Sequence, residues 1–133
     1  SGIIASIAGH FGVPCVFVSG DQATCKEVSD LVGDSIVQAQ VKIGLGRYSA
    51  RNLAPKDAWD LIETKVYEAL TQSNNWPKPY DAGSPCEFKV EMATPDQSVQ
   101  YRGREGVEIL DPRTVRSVGA NAWECWDKFW FHK

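Results

Sequence analysis

The first residue of this 133-residue sequence is one that could do chemistry. A serine at a free amino terminus carries its own base, the α-amino group, and can attack an amide carbonyl as in N-terminal-nucleophile hydrolases. Ser1 is therefore a candidate catalytic nucleophile, which autocatalytic cleavage of a precursor would expose. A chain end without chemical significance explains the same residue equally well, so both interpretations stay open.

Three further polar residues, Asp21, Lys42 and Arg47, lie at or near the ends of two predicted strands. Open α/β sheets bind ligands at the carboxyl ends of their strands, so these are the candidate substrate-binding residues. Each also has an ordinary structural interpretation. Asp21 would cap the helix that follows it, and Lys42 and Arg47 would be solvated or ion-paired surface residues.

The histidines and cysteines form no metal-binding pattern. His10 and His132 lie at opposite ends of the chain, and neither has a second histidine or cysteine at ligand spacing. The four cysteines include no CxxC pair, and Cys15 and Cys25 lie in apolar segments typical of buried, reduced thiols. We therefore expect no metal ligand in this chain and a reducing, cytoplasmic location.

Charge and hydropathy exclude two classes of partner. Lys and Arg number 14 against 17 Asp and Glu, and the resulting net charge of -3 is scattered along the chain. A nucleic-acid or anionic-membrane surface is not expected from such a balance. No segment reaches the roughly 20 apolar residues that a membrane-spanning helix needs. We therefore expect neither nucleic acid nor membrane as a partner.

The elements that would position the candidate residues follow an α/β pattern. Apolar spacing predicts a helix over residues 3–11 that ends at Gly12, followed by a buried strand over Val13 to Val18. Asp21 would then open a second helix, and Ser35 to Ile43 would form the next strand. Strand, helix and strand span about the length of a βαβ crossover.

The rest of the chain contains a glycine-broken loop, a long helix and a smaller segment. The loop covers residues 44–48, and a helix from Pro55 to about Gln72 follows it. Its predicted buried face consists of Trp59, Ile62, Val66, Ala69 and Leu70. The sequence thus predicts an α/β fold with a small, mostly parallel sheet and flanking helices in residues 1–72.

Residues 73–85 contain three prolines and are predicted to be a linker. Beyond it, residues 86–133 are predicted to form a smaller strand-and-helix segment. Its elements would be strands at 87–92, 106–110 and 114–118, and a helix at 120–131 whose aromatic residues most simply pack in a core or subunit interface.

Several short motifs in order resemble the zinc-dependent D-aminopeptidases of the dipeptide-transport type. They begin with Gly2, Ala5 and Ala8-Gly9, continue through Gly12-Val13-Pro14 and Val18-Ser19-Gly20-Asp21, and end with Val41-Lys42, Arg47, Leu53, Pro55 and Ala58. The resemblance covers residues 1–72 well and is fainter over 86–131. It implies a two-part α/β subunit of a cytoplasmic, ring-forming, decameric metallopeptidase that removes D-residues from the amino ends of short peptides or amides.

The resemblance also implies which part of the enzyme is absent from this sequence. The family's metal ligands lie mostly in an N-terminal half, and its last ligand, a glutamate, would fall immediately before Ser1. Zinc would therefore be bound by that missing half. The residues are then either the C-terminal portion of a longer enzyme or a chain released by cleavage of a precursor beside that glutamate. In the second case, the expected partner is an N-terminal chain of the same precursor, in a homo-oligomer of heterodimers that acts on a small amide or peptide substrate.

Three hypotheses for function remain at the level of sequence. The first is a C-terminal chain of an amide or peptide hydrolase resembling those D-aminopeptidases, with zinc activating water and polarising the scissile carbonyl. The second is an N-terminal-nucleophile amidohydrolase in which Ser1 attacks and no metal is needed. The third is a non-catalytic subunit whose aromatic carboxyl-terminal helix is a docking surface.

Overall fold

The computed structural model describes residues 1–130. The chain divides into two compact units, Ser1–Tyr80 and Asp81–Lys133. The boundary between the units falls within the proline-containing stretch 73–85.

The first unit is a three-stranded sheet with helices. Its strand order is β1-β2-β3, with β1 and β2 parallel and β2 and β3 antiparallel. The α/β class is confirmed, and within this unit only β1 and β2 pair in parallel. The loop predicted over residues 44–48 was partly wrong, because β2 continues through Gly46 and the chain then turns back as the antiparallel β3. The elements are α1 (Gly2–His10), β1 (Phe17–Asp21), α2 (Gln22–Val32), β2 (Val37–Gly46), β3 (Ser49–Asn52), α3 (Pro55–Thr71) and a 3-10 turn (Ser73–Asn75).

The predicted glycine end of α1 is confirmed. Gly12 has a φ of 74°, and its amide donates to the carbonyl of Gly9 at 2.9 Å. The amide of Val13 donates to the carbonyl of Ala8, also at 2.9 Å. These two bonds form a Schellman motif, in which a left-handed residue satisfies the last carbonyl groups of the helix.

The prediction for β1 was wrong by several residues. The apolar run 13–18 suggested a strand over its whole length, but β1 begins at Phe17 and continues to Asp21. Pairing explains the shift, since Phe17 is opposite Val37, where β2 begins. The residues before Phe17 therefore have no partner in β2 along most of the run.

The predicted buried face of α3 was partly wrong. Ala69 is buried, but Trp59 is 71% exposed and Leu70 is 60% exposed. The side of α3 with the lowest exposure follows a helical spacing of four, three and four residues through Ala58, Ile62, Lys65 and Ala69. The apolar residues occupy a wider arc of the helix than the arc that packs on the sheet. Their spacing alone therefore could not show that Trp59 and Leu70 lie outside the packed side.

The second unit is an antiparallel sheet of order β4-β6-β5 with α5 packed on β4 and β6. Its strands and last helix were predicted, whereas α4 was not. The predicted helix end at Phe131 lies outside the described residues. The elements are β4 (Cys86–Glu91), α4 (Asp96–Val99), β5 (Val107–Ile109), β6 (Thr114–Gly119) and α5 (Ala122–Trp130).

The aromatic residues of α5 differ in burial. Phe129 is buried and its ring meets the ring of Tyr101 edge-on at 5.6 Å, whereas Trp130 is 57% exposed. The packing interpretation thus holds for Phe129, while much of Trp130 faces solvent. Within residues 1–130, no helix combines the length and apolar character that crossing a bilayer requires.

Candidate substrate-binding groove

Three of the four candidate residues line one open groove. Asp21, Lys42 and Arg47 border a depression of about 420 Å³ at the carboxyl end of β1 and along the β2-β3 hairpin. The three residues thus border one depression, and their role in substrate binding stays a prediction. The remaining lining residues are Gly44, Gly46, Tyr48, Ser49, Ala50 and Asn52.

Asp21 caps α2 and also borders the groove. Its Oδ1 accepts a hydrogen bond from the amide of Thr24 at 2.8 Å, which confirms the predicted N-cap. This bond is the main reason that the pKa of Asp21 is below its usual value, and nearby Lys42 contributes. Its Oδ2 lies near Gly44, since a Cβ atom placed on that glycine would be 3.8 Å from this oxygen. Asp21 is therefore an ionised carboxylate with one oxygen committed to the helix.

A register shift places Lys42 opposite Asp21. Gly20 pairs with Gln40, but Asp21 pairs with Lys42, so Val41 is an extra residue on the β2 side. Such β-bulges redirect side chains and are common next to binding sites. In the described part of the chain, Lys42 affects Asp21 through its charge without forming an ion pair within 4 Å.

Arg47 lies at the tip of the β2-β3 hairpin, next to Tyr48. Gly46 and Ser49 pair across the turn, which leaves these two residues as the connection. The guanidinium carbon of Arg47 is 5.6 Å from the centre of the Tyr48 ring, a cation–π distance. Tyr48 is 92% exposed. The hairpin tip thus presents a cation and a phenol to solvent at the edge of the groove.

Gln22 is a residue that sequence reasoning missed. Its Oε1 accepts a hydrogen bond from the amide of Gly44 at 3.0 Å and joins the start of α2 to β2. The two residues are 22 positions apart, so no short-range pattern could have indicated the contact. The bond fixes the wall of the groove on which Asp21 lies.

The family model described as D-aminopeptidase matches residues 1–131 of the chain. This chain belongs to the D-aminopeptidase family. The resemblance predicted from the short motifs is therefore confirmed over a longer range than the motifs covered.

Two relatives from Bacillus subtilis support the assignment. A D-aminopeptidase of strain 168 is 30% identical over 114 residues, which are 86% of this chain and 41% of the relative. A solved structure, described as a Zn-dependent D-aminopeptidase and a self-compartmentalizing protease, is 26% identical with a TM-score of 0.82. The match covers 96% of this chain and 46% of the chain in that structure. The present chain therefore spans less than half the length of either D-aminopeptidase.

The described residues do not form a zinc site. In residues 1–130, no three His, Cys, Asp or Glu side chains come together in a group that could hold a metal ion. Zinc in proteins takes three or four such ligands. The part of the D-aminopeptidase fold described here thus supplies a charged groove but not the donor set for zinc.

Ser1 is separate from the groove in the described structure, because it is not among the lining residues. Its amino nitrogen is 3.7 Å from Oε1 of Glu27 on α2, and its carbonyl accepts the amide of Ala5 at 3.1 Å. The role of Ser1 as a nucleophile stays a prediction.

Proposed function

We propose that the protein containing these residues is a zinc-dependent D-aminopeptidase that releases D-residues from the amino ends of short peptides or amides. The observation that carries the proposal is the family match over residues 1–131. The likeness of the fold to a Zn-dependent D-aminopeptidase, at a TM-score of 0.82, supports the same activity.

The proposal assigns the zinc ligands to polypeptide outside residues 1–130. The described residues offer no group of three donors, and both relatives are more than twice as long as the matched region. An N-terminal chain or segment of the same protein is the proposed source of the ligands. Residues 1–130 then contribute binding and orientation of the substrate rather than the metal centre.

The proposed binding residues are Asp21, Lys42 and Arg47. They line one groove, and none of them is buried, so a substrate can reach all three. Asp21 carries a negative charge, whereas Lys42 and Arg47 are cations, so the groove can orient a substrate that has charged ends. Charged groups of this kind position a ligand by charge-assisted hydrogen bonds.

Assembly and location are part of the same proposal. The solved relative is described as self-compartmentalizing, which supports a homo-oligomer for this protein as well. The four cysteines are free thiols, which suits the reducing cytoplasm. Light scattering of the purified full-length protein tests the assembly, and a monomer at micromolar concentration would contradict it.

The activity is tested on the full-length protein with D-alanine p-nitroanilide and its L enantiomer. We expect release of nitroaniline from the D substrate at a much higher kcat/KM than from the L substrate. Activity should fall after dialysis against a chelator and return when zinc is added, in parallel with the zinc content of the protein. Preference for the L substrate, or full activity in a metal-free protein, would overturn the proposal.

A further inference from the structure

The groove has more cationic than anionic side chains, and its one carboxylate is partly occupied by a hydrogen bond within the protein. Two cations, Lys42 and Arg47, face one carboxylate, Asp21, and one oxygen of that carboxylate already accepts the amide of Thr24. The other lining side chains with polar atoms are neutral. The groove therefore has an excess of one positive charge and favours a ligand that has an anionic end.

The two cations also lie in different settings. Lys42 is on β2 beside Asp21, whereas Arg47 is on the hairpin tip, where its guanidinium carbon lies 5.6 Å from the centre of the Tyr48 ring. A guanidinium presents parallel N–H donors that match the two oxygens of a carboxylate. Arg47 is thus the donor best suited to such a group, with Lys42 as a second positive charge.

We propose that Arg47 and Lys42 bind the free carboxylate at the carboxyl end of a short peptide substrate. This rests on the proposed function, and it assigns a specificity to the groove: peptides with a free carboxyl end are preferred over the same peptides as amides. The Oδ2 of Asp21 repels a carboxylate from the Gly44 side of the groove. The anionic end of the peptide therefore lies toward the hairpin tip.

The test compares two substrates in the full-length protein, D-alanyl-glycine and D-alanyl-glycinamide. These differ only in the group at the carboxyl end, which is an anionic carboxylate in the first and a neutral amide in the second. We expect the wild type to prefer the free acid in kcat/KM. Arg47→Gln should lower kcat/KM for the acid by about tenfold or more relative to kcat/KM for the amide, as expected for loss of a hydrogen bond to a charged group. Lys42→Met should act in the same direction.

Lys56→Gln is the matched control. Lys56 lies in the first turn of α3, where its Nζ forms an exposed ion pair with Asp60 at 2.7 Å, and it does not line the groove. The substitution therefore removes one positive charge from the same unit without changing a residue of the groove. The ratio of the two substrates should stay at the wild-type value.

A binding experiment separates this inference from the proposed activity. Titration calorimetry on chelator-treated protein measures the affinity of D-alanyl-glycine and of its amide without turnover. Tighter binding of the acid that Arg47→Gln abolishes supports the inference, even if the protein hydrolyses no D-peptide and the proposed function falls. Equal binding of the two, or an equal loss of both in Arg47→Gln, overturns it, even if D-aminopeptidase activity is found.

Discussion

Asp21 and Lys42 lie directly opposite each other across the parallel strands β1 and β2, because the register skips Val41. Continued without the bulge, the register would place Asp21 opposite Val41, an apolar residue. The extra residue therefore brings two opposite charges to one wall of the groove. A local irregularity of the sheet, rather than the regular pairing, produces the charged site.

The first prediction concerns the capping of α2 by Asp21. Asp21→Ala should lower the denaturation midpoint, because the amide of Thr24 loses its acceptor at the start of α2. Asp21→Asn keeps an acceptor oxygen and should stay close to the wild type at pH 7. Urea titrations of the three proteins measure the difference, and equal loss in both variants would show that charge rather than capping matters.

The hydrogen bond from Thr24 to Asp21 also predicts that the stability of the protein depends on pH. The pKa of Asp21 is lowered in the folded protein, chiefly by the hydrogen bond from Thr24. Its stabilising contribution is therefore present above the ordinary carboxyl pKa and is lost as the pH falls through the lowered value. As the pH falls below about 4, the wild type should lose stability more steeply than Asp21→Asn. Parallel curves for the two proteins would contradict this assignment.

The third prediction concerns a close approach that only glycine permits. A Cβ atom at Gly9 would overlap the carbonyl oxygen of Tyr80 and lie 2.7 Å from its carbonyl carbon. These are backbone atoms that cannot move aside easily, so Gly9→Ala should be poorly folded or insoluble despite the higher helix propensity of alanine. At Gly2 in the same helix, a Cβ would meet only Leu31 at 3.7 Å, an ordinary contact. Gly2→Ala should therefore keep the wild-type midpoint and yield.

The capping, termination and helical signals of the first unit were predictable because they are local. Asp21 caps α2 by accepting the amide of Thr24, which is only three residues away. The bonds that end α1 at Gly12 reach back at most five residues. Such interactions are encoded within one short segment. The three groove residues could likewise be selected, since strand ends on one edge of a sheet converge.

The rest depended on partners far along the chain. The strand β3, Ser49–Asn52, has neither alternation nor β-branched residues, and it forms only because β2 offers its edge. The glycines at 44 and 46 suggested a loop, whereas β2 continues through Gly46. The bulge at Val41 and the bond from Gly44 to Gln22 are likewise set by tertiary pairing.

The fourth prediction concerns thiol reactivity. Cys25, Cys86 and Cys125 are buried, and burial raises the pKa of the Cys25 and Cys86 thiols, whereas Cys15 is half-buried. The thiolate is the reactive form, so a buried thiol with a raised pKa reacts slowly. Iodoacetamide at pH 8 should label Cys15 first, and the others only on unfolding, as peptide mass spectrometry would show. In Cys15→Ser, rapid labelling should disappear; if it persists at another site, that site is exposed.

The last prediction separates the two aromatic residues at the end of α5. Phe129 is buried against Tyr101, and Arg104 donates to its backbone carbonyl, whereas Trp130 contacts Trp126 at 5.3 Å and is largely exposed. Phe129→Ala keeps the carbonyl but leaves a cavity, so unfolding should become easier by about 3 kcal/mol or more. Trp130→Ala creates no enclosed cavity and should cost well under half of that. If the two variants lose equal stability, the Trp130 side chain is packed as closely as that of Phe129, which would contradict its exposure in the structure. In that case another part of the protein covers Trp130, as the hypothesis of a docking surface on the aromatic helix requires.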